Sequence, residues 1–187
     1  NSKLISDTIF LTVFMINGLL IDNNGAREIS NLEVQDENIL SIITEDTEMF
    51  SKKAFYNKEK SIIELFDNVK IKRGTEIITG FIINGILVNK NGTRTISNLE
   101  VQDENILNIV TEDTEMFSKK AFYDEEKSII ELFDNVKIIR GSEIITGDYG
   151  VLDTNKNAYK VSSKNSNKVK AIISDTKWKN FNYLMMD

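Results

Sequence analysis

The chain has 187 residues, 41% of them hydrophobic, with 23 basic and 29 acidic side chains, a formal net charge of −6, and no histidine, cysteine or proline. Those absences exclude Cys/His zinc sites, haem ligation by histidine, Cys-His and Ser-His-Asp nucleophiles, and disulfides. The acidic balance argues against nucleic-acid binding, which calls for a basic face.

Oxygen-ligated metals and carboxylate chemistry survive, and no cofactor is implied. At the usual ~5%, a chain this long would carry about 9 prolines. Ile (27) and Asn (21) together make about a quarter of the residues, a mix that codon bias produces readily. The length suits one or two domains with a buried core.

In chain order, residues 9–16 come first. They are apolar enough for a signal-peptide core, yet only Lys3 precedes them and no small-residue cleavage site follows. At eight residues the run is too short to span a bilayer, and it reads as a strand. The chain begins at Asn1 without Met, so a signal peptide or anchor removed before Asn1 is an expectation.

A repeat then organises the chain. Residues 11–77 match residues 78–144 at a constant offset of 67, with 52 of 67 positions identical and no gaps. Residues 30–40 recur unchanged as 97–107, 44–56 as 111–123, and 61–71 as 128–138. A third, divergent partial unit opens at Ile145-Thr146-Gly147 and runs with a C-terminal tail to residue 187. No spacer separates the copies, and Glu76-Ile77-Ile78-Thr79-Gly80 reads as one strand across the join. The expectation is therefore one continuous stacked structure, against a recent duplication without architectural meaning.

Within a unit, runs rich in Ile, Val, Phe and Thr are punctuated by Asn17-Gly18, Asn24-Gly25, Asp67-Asn68 and Arg73-Gly74. Turns between runs of roughly 5–10 residues predict an all-β fold. Val69-Lys70-Ile71-Lys72 alternates like a half-buried strand, and residues 22–25 suit a hairpin turn. Residues 44–66 are ambiguous, because Met49, Phe50, Ala54 and Phe55 would also fit a helix. Lys52-Lys53 and residues 57–60 read as turns there.

At the end of the second unit the pattern becomes specific. Residues 118–124 (SKKAFYD), 129–138 (IIELFDNVKI) and 145–153 (ITGDYGVLD) follow one another, and this succession resembles the OstA-like lipopolysaccharide-transport proteins. Asp134-Asn135-Val136 stands where that family often has Gly-Asn-Val, and Gly147-Asp148 stands at its Gly-Asp. Residues 158–163 and 167–173 are similar to the closing strands of the family's periplasmic bridge member. Residues 91–96 are similar to the opening strands of its inner-membrane partner.

The resemblance implies a half-open β-jellyroll, folded like a taco, with an apolar groove for lipopolysaccharide acyl chains. It also implies edge strands that pair end to end with other jellyroll transport proteins, or with the chain itself, across the periplasm. Exposed strand edges recruit strands in this way. At about six strands per unit and ~4.8 Å per strand, one copy would lengthen the groove by roughly 29 Å.

The most regular apolar positions are Ile63, Leu65, Val69 and Ile71, with their copies Ile130, Leu132, Val136 and Ile138. By period two, Ile63 and Leu65 share a face, as do Val69 and Ile71. The residues alone favour a dry core; with the resemblance they become a lipid-binding wall, each buried CH₂ contributing ~0.8 kcal/mol. Phe14 and Phe81, with Ile16 and Ile83, are further candidates for that wall.

Residues 1–153 hold 16 basic and 27 acidic side chains, whereas residues 154–187 hold 7 Lys and 2 Asp. Lys156, Lys160, Lys164, Lys168, Lys170, Lys177 and Lys179 suit lipid phosphates or the acidic face of another copy, or simply a solvated tail. The apolar end (Trp178, Phe181, Tyr183, Leu184, Met185, Met186) suits a cap or a docking segment.

Glu45-Asp46-Thr47-Glu48 and Glu112-Asp113-Thr114-Glu115 are the enzymatic temptation, since paired carboxylates hydrolyse glycosides; a solvated turn is the plainer reading. Asp153, Asn155 and Asn157 open like a calcium loop, but Ala158 and Lys164 stand where Gly and Glu are needed, so a hairpin turn fits better. Asn91-Gly92-Thr93 fits a glycosylation acceptor, which is meaningless in a bacterial chain.

The function expected is non-enzymatic binding and transfer of lipopolysaccharide in the periplasm, with no nucleic-acid partner. The alternatives are a structural or adhesive β-repeat protein with a closed core and, third, a carboxylate-based carbohydrate enzyme.

Overall fold

The computed structural model describes the backbone of residues 2–6, 9–13, 15–23, 26–43, 47–90, 93–163 and 168–173, with side chains for 30–35, 39–43, 47–89, 95–163 and 168–172. Thirteen strands follow in order: β1 (Ser2–Ser6), β2 (Ile9–Val13), β3 (Met15–Asn23), β4 (Ala26–Ile43), β5 (Thr47–Asn57), β6 (Ile62–Arg73) and β7 (Glu76–Lys90). Then come β8 (Thr93–Val110), β9 (Thr114–Asp124), β10 (Ile129–Arg140), β11 (Glu143–Asp153), β12 (Ala158–Ser162) and β13 (Lys170–Ile173).

They form one open antiparallel sheet, ordered β1-β2-β4-β5-β6-β7-β8-β9-β10-β11-β12. β3 pairs with β4, and β13 pairs with β11 beyond the end of β12. The expected all-β class is therefore correct.

From β4–β6 to β8–β10, strand bounds and register recur 67 residues apart. Asn31 pairs with Asn57 as Asn98 does with Asp124, and Val69 with Gly80 as Val136 does with Gly147. β7 runs unbroken across the join at residues 77 and 78. From β4 to β8 the sheet advances four strands, not the six expected, because the strands reach 11 to 18 residues.

They are longer because several expected turns lie inside strands. Asn17-Gly18 lies within β3, and residues 44–66 contain no helix where described. Lys52-Lys53 sits at a register shift within β5, facing the shift in β6 at Asp67-Asn68. Asp67 (φ 64°) and Asn68 (φ 54°) are left-handed, as are Asp134 (φ 60°) and Asn135 (φ 57°). Asn and Asp tolerate this conformation, and the result is a bulge that bends the strand while its flanks stay paired. Ser51 and Ser118 are buried beside these shifts, and their hydroxyls donate to the carbonyls of Lys53 and Lys120 at 3.1 and 2.9 Å.

The turns at residues 57–61 and at Gly74 (φ 56°) fall where expected. Asn24-Gly25 lies outside the described residues, between the paired Asn23 and Ala26.

The bulges and register shifts form a line across the sheet: residues 36–39 in β4, 51–52 in β5, 67–68 in β6, 80–81 in β7, 103–106 in β8, 118–119 in β9, 134–135 in β10 and 148 in β11. Along this line the sheet folds on itself. Tyr159 pairs with Leu152, which pairs with Ile130, ten positions from Arg140. A straight strand would separate those ends by about 33 Å. Yet the Arg140 guanidinium lies 5.0 Å from the centre of the Tyr159 ring. The two halves of the sheet are thus opposed layers joined at a crease, and the core lies between them.

Candidate functional site: the interior and its seam

The interior is apolar and filled. Ile63, Leu65, Val69, Ile71, Ile130, Leu132, Val136 and Ile138 are all buried, none more than 5% exposed. Ile63, Leu65, Ile130 and Leu132 precede the crease, and Val69, Ile71, Val136 and Ile138 follow it, so each expected set of four lines both layers. Met49, Ile83, Leu99, Val101, Leu107, Ile109 and Met116 join them in one cluster. Leu99, Val101, Leu107 and Ile109 escape a simple period-two reading because the shifts change the phase of alternation along β7 and β8. In β7, Ile78 and Gly80 are buried before the shift, and Ile83 and Leu87 after it.

Phe81 falls at that phase change and is 45% exposed, so the expectation that it lines the interior is corrected. Ile83 is buried as expected. Phe14 lies outside the described residues, and Ile16 lies in β3 with no described side chain.

Opposite the crease, the turns at one end of the strands meet the turns at the other, and side chains bridge this seam. Arg73, at the end of β6, donates to Glu76 Oε2 at 2.8 Å and to the Tyr123 hydroxyl at 2.7 Å. Its guanidinium lies 5.0 Å from the Tyr123 ring centre and 3.9 Å from Glu125. Burial works against its charge, but Glu76 and Tyr123 outweigh it and raise its pKa. Burial, opposed by the Arg73 charge, pushes the Tyr123 hydroxyl up.

One repeat later, Arg140 donates to Thr114 Oγ1 at 2.8 Å and to the Asn157 carbonyl at 2.9 Å, and also to Asn157 Oδ1. Asn157 donates to Asp113 at 3.1 Å. That bond, with the Thr114 hydroxyl and the Arg140 charge, lowers the Asp113 pKa. Behind Arg73, between Ile71, Ile78, Ile96 and Leu99, lies a hollow of about 10 Å³, enough for about one water.

In the second acidic cluster the described carboxylates have separate partners. Asp113 faces Asn157 and Arg140, whereas Glu115 accepts from Asn108 at 3.0 Å. Glu45 and Asp46 lie outside the described residues. Among the described residues no acidic group is arranged to hold a metal. Asp153 accepts from the Lys156 backbone at 2.9 Å and pairs with its ammonium at 2.8 Å, forming the β11–β12 turn.

Of the lysines, Lys168 and Lys170 border an open hollow between β12 and β13, with Lys137 and Asp148. Lys156 and Lys160 are exposed. Lys164, Lys177, Lys179 and the apolar end from Trp178 to Met186 lie outside the described residues, as do Asn91 and Gly92.

A long antiparallel sheet creased along a line of bulges, with an apolar interior and a seam of side chains, defines an all-β protein built from one sheet folded over on itself. Residues 48–158 match the family model described as LptA/(LptD N-terminal domain) LPS transport protein. The chain belongs to that family.

Its fold is shared by LptH of Pseudomonas aeruginosa, described as the LptA-homologous periplasmic component of the lipopolysaccharide transport device. The TM-score is 0.60 at 14% identity, covering 69% of this chain and 95% of LptH. No curated protein matches the sequence.

Proposed function

We propose that the chain carries lipopolysaccharide by taking its acyl chains between the two layers of a half-open β-jellyroll, without chemistry, as part of a periplasmic bridge. One observation carries this reading: in a member of this family, a single continuous apolar interior extends from β4 to β11. Branched side chains such as Leu65, Val69, Leu132 and Val136 solvate alkyl tails without direction, and each CH₂ transferred contributes ~0.8 kcal/mol.

The two 67-residue copies act as successive segments of one track. Each adds four strands, or about 19 Å at ~4.8 Å per strand. The partners are lipopolysaccharide and further jellyroll proteins, or a second copy, joined at the sheet edges.

A photocrosslinking residue placed at Ile63 or Leu132 should label lipopolysaccharide in the folded protein. Absence of label from both positions counts against carriage. The filled interior favours a second reading, a structural β-repeat with a permanently closed core. In that case neither position labels, and the protein's stability is indifferent to lipopolysaccharide.

A further inference from the structure

We infer that the seam is a lateral gate, held shut by Arg73 and Arg140, through which acyl chains reach the interior. This rests on the carrier reading and deepens it by naming the way in.

The interior residues are packed to near-zero exposure, so a tail finds room only if the layers part. The crease cannot part, because the backbone of each strand continues through it. Neighbouring strands cannot separate without breaking ladders such as the one from Arg73–Glu76 to Ile62–Ile86. The seam differs in kind: side chains cross it. Arg73 reaches Tyr123 and Glu125; Arg140 reaches Asn157 and Tyr159; Asn157 reaches Asp113.

These are half-buried pairs, with the two arginines 20% and 22% exposed, and pairs in contact with water are individually weak and screened by salt. Directly behind Arg73 the apolar walls of Ile71, Ile78, Ile96 and Leu99 leave a small hollow. There the interior comes within one side chain of water. A guanidinium also exchanges a carboxylate for a phosphate readily, since both suit its forked donors. An anionic headgroup arriving at the seam would therefore release the contact that excludes its tails.

The chain has no cysteine, which permits a direct test on the full-length protein. Glu76→Cys with Glu125→Cys, and Asp113→Cys with Asn157→Cys, are joined across the seam by a short, reductant-cleavable bis-thiosulfonate. Uptake of cis-parinaric acid is followed by its fluorescence, with circular dichroism confirming the fold. Stapling should slow uptake at least tenfold, and reductant should restore it. Arg73→Met with Arg140→Met should speed uptake several-fold and remove its acceleration by salt.

Uptake by the stapled protein at the unstapled rate would overturn the gate, with tails then passing through the ends of the sheet. If wild type, the reduced Cys variants and the Met variant all fail to take up the probe, the carrier reading falls and the gate with it.

Discussion

Asn135 and its neighbour Asp134 hold left-handed backbone in the middle of a 12-residue strand. An ordinary L-residue there costs roughly 1–2 kcal/mol, from the clash between Cβ and the carbonyl oxygen. Asn135→Val should therefore destabilise the protein by about 1–2 kcal/mol in urea unfolding, whereas Asn135→Gly should lie close to wild type. Equal stability of the Val and Gly variants would mean that the bulge is not conformationally demanding. The Asp-Asn pair was legible as a turn former, but its role was not. The same dihedrals reverse a chain at a strand end and merely bend it where both flanks remain paired. Phe81 was misread for a related reason: period two assigns faces only until a bulge shifts the phase.

At the scale of elements, β10 and β11 are tied by more than their ladder. The Tyr149 hydroxyl donates to Glu131 across the pair, and Phe133 packs against the Tyr149 ring at 5.3 Å. The hydrogen bond to Glu131, aided by burial, pushes the Tyr149 pKa up to about 12. In the unfolded chain tyrosine titrates near ~10, so the folded state holds this proton more tightly. Its stabilising contribution is complete below about pH 10 and is lost as pH rises through about 12. Urea midpoints measured between pH 9 and 12 should fall more steeply for wild type than for Tyr149→Phe. Tyr123 and Tyr159, also raised, should leave the variant some slope of its own. Identical slopes would exclude the Tyr149 contribution. The strands run longer than their turn formers suggest, because Asn17-Gly18 and Lys52-Lys53 lie inside strands whose flanks stay paired.

For the whole molecule, the recurring register makes a deletion informative. Removing residues 78–144 joins Ile77 to Ile145 and restores the run Glu-Ile-Ile-Thr-Gly. β6 would then pair with β11 as β10 does, with Arg73 placed as Arg140 is now, beside Thr47 in place of Thr114. The shortened protein should fold cooperatively, with an m-value reduced in proportion to the surface lost. A molten or unfolded product would show that the copies are not interchangeable segments.

The β class, the repeat, the turn formers and the inward alternation of Ile63, Leu65, Val69 and Ile71 were all legible in the residues. The repeat is read directly from identity 67 residues apart, and the others rest on dihedral preference or on period two, which act over a few positions. The crease and the seam were not legible. They depend on Arg73 meeting Tyr123, fifty residues away, and on Arg140 meeting Tyr159 across opposed layers. No local pattern encodes that meeting, because it follows from the summed bend of the strands from β4 to β11.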